Sequence, residues 1–248
     1  MTDCLKSKIA VVTGGGSGIG LAIAARFVAA GAAVVICGRG RERLERAAEQ
    51  IGATAIVADV AQEAEVAALF AETADRFGGL DVLVNNAGIT GPVARAEDMD
   101  LAAWDETVAI NIGGVIACIK HAVPLMRRRG GGAIINMSSL MGLRGHAMRS
   151  AYTATKFAVI GITEAVAQEV GPDKIRVNAL CPGAVNGELM QRVIAARSKA
   201  ESRPPEDIIR AAYTDTAALQ RWVEPEEVAA AALFLASDAG AAVTGDRI

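Results

Sequence analysis

Six short runs of apolar, largely β-branched residues punctuate the chain at 9–13, 33–37, 55–60, 80–84, 133–137 and 175–180, and most of the segments between them have helical periodicity. The runs are continuously apolar rather than alternating, so each predicts a strand buried on both faces. Helices are expected over 42–51, 63–77, 104–126 and 152–170. Strands of this kind separated by helices imply an α/β fold with a doubly wound parallel sheet and helices on both faces. Ligands of such sheets bind beyond the carboxyl ends of the strands. The chemistry should therefore be sought just after each run.

After the first run the chain breaks into Gly14-Gly15-Gly16-Ser17-Gly18-Ile19-Gly20, followed by an alanine-rich helical segment. Strand, glycine turn and helix together form an anion cradle. Glycines let backbone amides approach a phosphate, and the new helix presents unpaired N–H groups and its positive dipole end. The second run ends at Gly38-Arg39-Gly40-Arg41. In a dinucleotide site an acidic residue here accepts from the adenosine 2′-hydroxyl, whereas an arginine accommodates a 2′-phosphate. No carboxylate occupies positions 37–39, so Arg39 favours NADP over NAD. An arginine stacked on adenine above an unphosphorylated ribose is the other reading.

The third run ends in Asp59-Val60, the fourth in Asn85-Asn86-Ala87-Gly88, the fifth in Ser138-Ser139 and the sixth in Cys181-Pro182-Gly183. Tyr152 follows Ser139 by thirteen residues, and Lys156 follows Tyr152 by four. On a helix, positions i and i+4 share a face, which puts an ammonium beside a phenol. A tyrosine of ordinary pKa near 10 is a poor acid or base at neutral pH, and a neighbouring positive charge lowers that value. Ser139 can hydrogen-bond the oxygen that gains or loses the proton.

Other chemistries are disfavoured. The net charge of −3 gives no footprint for a polyanion, so no nucleic-acid partner is expected. The uninterrupted apolar runs are shorter than the roughly 18 to 20 residues of a membrane span. The N-terminus lacks the pattern of a secretory signal, so a cytoplasmic protein is expected. Cys4, Cys37, Cys118 and Cys181 are widely spaced and only two histidines are present, which argues for reduced thiols and no metal site. The segment 186–221 is charged, contains Pro204-Pro205 and has broken periodicity. It reads as an insertion that covers the substrate.

Taken together, these motifs resemble the short-chain dehydrogenase/reductase family, in its single-domain branch of about 250 residues. The resemblance runs from Lys8 to about Gly245. It implies a single NAD(P)-binding Rossmann-type domain over 1–248, with 186–221 as its substrate-covering insertion. Gly14, Ser17, Gly18, Ile19 and Gly20 match the cofactor loop, Asp59 and Val60 the adenine contact, Asn86 and Gly88 the central turn, and Pro182, Gly183 and Val185 the nicotinamide side. Asn111, Ser139, Tyr152 and Lys156 match the catalytic tetrad. By the resemblance Tyr152 exchanges the proton, Ser139 orients the substrate oxygen, and Asn111 holds a relay water. Lys156, like Tyr152, contacts the nicotinamide ribose, and it also depresses the pKa of Tyr152.

Two departures stand out. The family often has a threonine at the position of Gly187, and it usually continues past Thr244-Gly245 through a last strand and a tail, whereas this sequence has only residues 246–248 beyond. A homotetramer is implied. The expected activity is interconversion of a secondary alcohol and a ketone with NADP or NAD. A 3-oxoacyl thioester or a small cyclic or sugar alcohol is the expected substrate, and Thr90, Met141, Leu143, Arg144, His146 and Arg149 are the residues expected to face it. The competing reading is a nucleotide-sensing protein without catalysis.

Overall fold

The computed structural model describes residues 3–215 and 217–248. Six strands, β1 (Ile9–Thr13), β2 (Ala33–Gly38), β3 (Thr54–Val57), β4 (Val82–Asn85), β5 (Gly132–Met137) and β6 (Ile175–Leu180), form one parallel sheet. Their order is β3-β2-β1-β4-β5-β6. The winding reverses between β1 and β4, and a crevice at that reversal is where a ligand of such a sheet is received.

The continuous apolar strands are explained by two cores. Successive side chains point to opposite faces, so Val11, Val35, Leu83, Ile134 and Val177 enter one core and Val12, Ile36, Val84 and Ile135 the other. Helices α3 (Glu63–Phe77), α5 (Gly114–Arg129) and α6 (Ser150–Val170) cover the first face through Leu69, Phe70, Ile119 and Val159. Helices α1 (Gly18–Ala29), α2 (Arg41–Ile51) and α9 (Pro225–Ala236) cover the second through Ile23, Phe27, Leu44 and Leu233. Each such buried aliphatic or aromatic side chain contributes about 1.5–3 kcal/mol.

The structure adjusts several expected boundaries. β3 stops at Val57, which leaves Asp59 and Val60 in a turn where Asp59 Oδ1 accepts from the Ala61 amide at 3.0 Å. Leu80 and Asp81 precede β4, and Asp81 instead binds the Ile9 amide at 2.9 Å and Arg129 at 3.0 Å. The helix expected over 104–126 is three pieces: α4 (Leu101–Val108), a π turn (Ala109–Gly113) and α5. The extra residue of a π turn re-aims the side chains within it, and Asn111 sits there. By length and composition this 29-residue composite could cross a membrane, but half of its apolar window is buried in the fold.

Residues 246–248 run beside β6. The Ala179 amide donates to the Asp246 carbonyl at 2.8 Å and the Ile248 amide to the Ala179 carbonyl at 2.9 Å. Three residues thus begin a further parallel pairing. The segment 186–221 contains α7 (Glu188–Glu201), α8 (Pro205–Ile209) and a second π turn (Arg210–Thr214). It leaves and rejoins the body at one point, where Val185 bridges Val223. Between those ends it has its own small core of Ile194, Ile208 and Tyr213, with Trp222 stacked on Tyr213 at 6.0 Å.

Candidate active site

Strand register brings the sequence motifs to one edge. Thr13 pairs with Cys37 and Asn85 with Asn136, so the strand ends line up beneath the turns that follow them. The Thr13 hydroxyl, at the head of the glycine motif, ties two turns together. It accepts from the amides of Asn86 at 3.0 Å and Ala87 at 2.9 Å, while Asn86 Nδ2 donates back to the Thr13 carbonyl at 2.9 Å. The glycine turn is thereby locked to the Asn85–Gly88 turn.

The cradle itself requires glycine. Gly14 has φ +66°, and a Cβ there would lie 2.9 Å from Asn86 Nδ2. Gly18 has φ +52° with nothing within 4 Å of a Cβ position, so its open side faces outward. Ser17 makes no side-chain capping bond to α1, and α1 carries no acid in its first turn. Its leading amides are therefore free of competition for an anion. Arg39, exposed at the end of β2, lies 3.8 Å from Asp59 Oδ2, so the two residues expected at the adenosine end converge. Val60 turns its side chain inward against Gly114. These residues fit a dinucleotide: a phosphate cradle, a cation at the ribose end and a polar turn between.

Ser139 begins the turn after β5, with Oγ accepting from the Met141 amide at 3.1 Å. The Ser138 amide donates to the Leu180 carbonyl at 2.7 Å and the Leu140 amide to the Pro182 carbonyl at 3.0 Å. The Ser139 and Pro182-Gly183 turns are thus joined. Tyr152 lies in the first turn of α6, near enough to the Ser139 hydroxyl to feel it, and has the Lys156 ammonium 5.4 Å from its ring centroid. Burial raises the Tyr152 pKa, while the Arg149 charge and the Ser139 hydroxyl pull it down. The expectation that Lys156 depresses it is not met in this geometry. Lys156 Nζ instead donates to the Met137 carbonyl at 2.7 Å, and burial lowers its own pKa to about 8.

Asn111 uses both ends of its side-chain amide. Oδ1 accepts from the Ile89 amide at 2.9 Å, and Nδ2 donates to the Ile89 carbonyl at 2.9 Å and to Thr155 Oγ1 at 3.1 Å. It pins the loop after Gly88 to α6. A buried polar ladder below supports the same helix: Asn85 Nδ2 donates to Asn136 Oδ1 at 2.8 Å, and Asn136 Nδ2 to Thr163 Oγ1 at 2.9 Å. Asn136 stood inside an apolar run, which hid it from motif reading.

Gly187 has φ +151°, a backbone that disfavours any side chain, so a threonine at this position would be strained. Gly142 matters for space instead. A Cβ there would fall 2.3 Å from Ser138 Oγ and 2.7 Å from the Lys156 carbonyl. Gly142→Ala is expected to push the Ser139 turn off α6 and to cost about 1–3 kcal/mol. A urea midpoint identical to wild type would contradict this packing.

The substrate-facing candidates also gather here. Arg149 Nη2 donates to the Thr90 carbonyl at 3.0 Å, and its guanidinium carbon lies 5.1 Å from the Tyr152 centroid. His146 has its pKa lowered by burial first, then by the charges of Arg144, Arg197 and Arg149. Arg197 comes from α7, so a charge from the insertion reaches this corner.

The arrangement has known counterparts. A family model described as enoyl-(acyl carrier protein) reductase matches residues 14–248. The chain is 36% identical over 249 residues to a D-beta-hydroxybutyrate dehydrogenase of Rhizobium meliloti (strain 1021), covering 98% of this chain and 96% of the relative. It is 40% identical to a cis-4-hydroxycyclohexanecarboxylate dehydrogenase of Sinomonas cyclohexanicum, covering 99% and 95%. The crystal structure of an NAD+-bound xylitol dehydrogenase superposes with a TM-score of 0.93 at 29% identity, covering 98% of this chain and 97% of that one. With a sheet, a glycine cradle and a Ser-Tyr-Lys cluster in place, and relatives matched along almost its entire length, the chain belongs to the short-chain dehydrogenase/reductase family.

Proposed function

We propose that the chain is an NADP-preferring oxidoreductase that interconverts a secondary alcohol and a ketone, with Tyr152 as the proton donor and acceptor. The observation that carries this reading is the position of Tyr152: close to Ser139, with Lys156 5.4 Å from its ring, at the same sheet edge as the glycine cradle. When bound, the nicotinamide supplies hydride to the carbonyl carbon or takes it from the carbinol carbon. Gly14, Ser17, Gly18, Ile19 and Gly20 would hold the pyrophosphate side, Arg39, Asp59 and Val60 the adenosine end, and Asn86, Gly88, Pro182, Gly183 and Val185 the nicotinamide side.

In reduction Tyr152 gives its phenolic proton to the carbonyl oxygen, and in oxidation it takes the proton from the hydroxyl. Ser139 donates a hydrogen bond to that oxygen as negative charge develops on it. Lys156 would exchange its bond to the Met137 carbonyl for the ribose hydroxyls and bring its charge to bear on the phenol. Asn111, held by its bonds to Ile89 and Thr155, would keep in place a water that connects Lys156 to solvent.

Arg39 supports NADP because no acid replaces it at the end of β2 and its bond to Asp59 is long enough to yield to a phosphate. Arg39→Ala is expected to lower kcat/KM with NADPH by about 10- to 100-fold, the value of a charge-assisted hydrogen bond, and to leave NADH turnover nearly unchanged. A strong native preference for NADH overturns this assignment.

For substrate, a 3-oxoacyl thioester and a small cyclic or sugar alcohol are both compatible with the apolar turn 140–143. The relatives named for hydroxybutyrate and hydroxycyclohexanecarboxylate add small hydroxy acids. Residues 186–221, pinned at the Val185–Val223 bridge, act as the cover in this reading. A cytoplasmic homotetramer completes it, with exposed Leu101, Ile116 and Phe157 as apolar surface for subunits to bury.

A further inference from the structure

Arg149 is out of place for a residue at the start of a helix. Its exposure is 2%, and among the described residues it is the one arginine in the buried class. Only one of its three nitrogens is used, Nη2 to the Thr90 carbonyl, while Nε and Nη1 are buried without a hydrogen-bond partner. Among the described residues no carboxylate lies within ion-pair distance of it, whereas Arg197 in the insertion is paired with Glu201 at 2.7 Å and Arg129 with Asp81 at 3.0 Å. Burial lowers its pKa, the neighbouring phenols of Tyr152 and Tyr213 raise it in part, and Arg197 lowers it further. A guanidinium left in this state costs folding stability, because a buried charge needs a partner.

Its position suggests what the partner is. The guanidinium carbon is 5.1 Å from the Tyr152 ring centroid, so the idle donors adjoin the reacting group. The hydrogens of a guanidinium form two forks, Nε with Nη2 along the side and Nη1 with Nη2 at the end. Whichever Nη2 hydrogen is given to Thr90, one complete fork is left. A two-donor fork matches the two oxygens of a carboxylate, and a neutral carbonyl or hydroxyl fills only half of it.

We infer that the substrate is an oxo or hydroxy acid whose carboxylate is received by the free fork of Arg149. This rests on the carbonyl-reducing reading of the site and names its substrate class. The thioester and the neutral sugar or cyclic alcohol lack the group that satisfies the fork. The positive charges of Arg144 and Arg197 around His146 favour the same sign of ligand. Arg149 also lowers the Tyr152 pKa. A bound carboxylate offsets that charge and returns the phenol toward its protonated form.

The test is calorimetric and needs no turnover. Butanoate, cyclohexanecarboxylate and octanoate, each against its amide, are titrated into the NADP+-loaded wild type, Arg149→Met, Arg149→Lys and Tyr152→Phe. At least one carboxylate should bind wild type at least about tenfold more tightly than its amide, a gap of about 1.4 kcal/mol. The preference should vanish in Arg149→Met, survive in part in Arg149→Lys, and persist in Tyr152→Phe. No carboxylate preference in wild type, or an unchanged preference in Arg149→Met, overturns the inference. If Arg149→Met does not fold, Arg149→Lys decides, since a point charge without the planar fork must weaken the carboxylate more than the amide. Reduction of neutral ketones without carboxylate preference sinks the inference alone. Carboxylate binding without hydride transfer on any substrate sinks the proposed function instead.

Discussion

Tyr152→Phe lowers kcat/KM for carbonyl reduction by about 10²- to 10⁴-fold, the range supplied by a positioned general acid, and leaves the urea midpoint and NADP+ affinity close to wild type. The substitution removes one oxygen and keeps the ring that packs between Arg149 and Lys156. Burial holds the phenol protonated, with Arg149 and Ser139 pulling the other way. The protein is thus ready to give a proton, and the reverse reaction must first take one off. Oxidation of an alcohol should therefore accelerate as pH rises, while reduction does not. Near-native turnover by Tyr152→Phe on any accepted substrate would remove the phenol from the mechanism.

Lys156→Met is the second large effect, and it separates catalysis from stability. Kinetically, loss of the ammonium should reduce kcat/KM by about 10²- to 10³-fold, since in the proposed mechanism it would hold the ribose and ease proton release from Tyr152. Thermodynamically the variant should behave in the opposite sense at neutral pH. Burial lowers the Lys156 pKa from 10.5 to about 8 in the folded state. Below about 8 both folded and unfolded chains are protonated there, and the full cost of the buried charge is present. Between about 8 and 10.5 the unfolded chain holds the proton and the folded one does not, so stability rises with pH. Wild type should accordingly gain up to about 3 kcal/mol relative to Lys156→Met across that window. The comparison must be with the variant, because the buried Cys37 thiol, raised to about 12, tilts the absolute stability the other way. Parallel pH curves for the two proteins would show that Lys156 is not held as described.

Much of this architecture was legible before any coordinates. The six apolar runs predict the strands because each is buried on two faces, and β1 and β6 end where the sequence indicates. The glycine turn and the Asn85–Gly88 turn were visible because only short or polar residues permit those backbones. What stayed hidden has physical reasons. The π turn at Ala109–Gly113 leaves the apolar periodicity nearly intact, so 104–126 reads as one helix. Asn136 and Thr163 look like ordinary strand and helix residues until the Asn85-Asn136-Thr163 ladder joins them across the sheet. The i, i+4 spacing placed Lys156 beside Tyr152 correctly but could not show that the Met137 carbonyl holds the ammonium. Arg149 stood beside Arg144 among the residues expected to face the substrate. Its burial and its idle nitrogens set it apart only in three dimensions.

The central claim is that a reduced nicotinamide and a carbonyl meet at Tyr152, and an isotope tests it most directly. The wild type is incubated with NADPH carrying deuterium at the transferable position of the nicotinamide and with a panel of ketones, neutral and carboxylated, and the products are read by mass spectrometry. The predicted result is one deuterium on the carbinol carbon for each NADPH oxidised, strongly diminished in Tyr152→Phe. Tight NADPH binding with no deuterium transferred to any member of the panel would contradict the account and leave a nucleotide-sensing protein in its place.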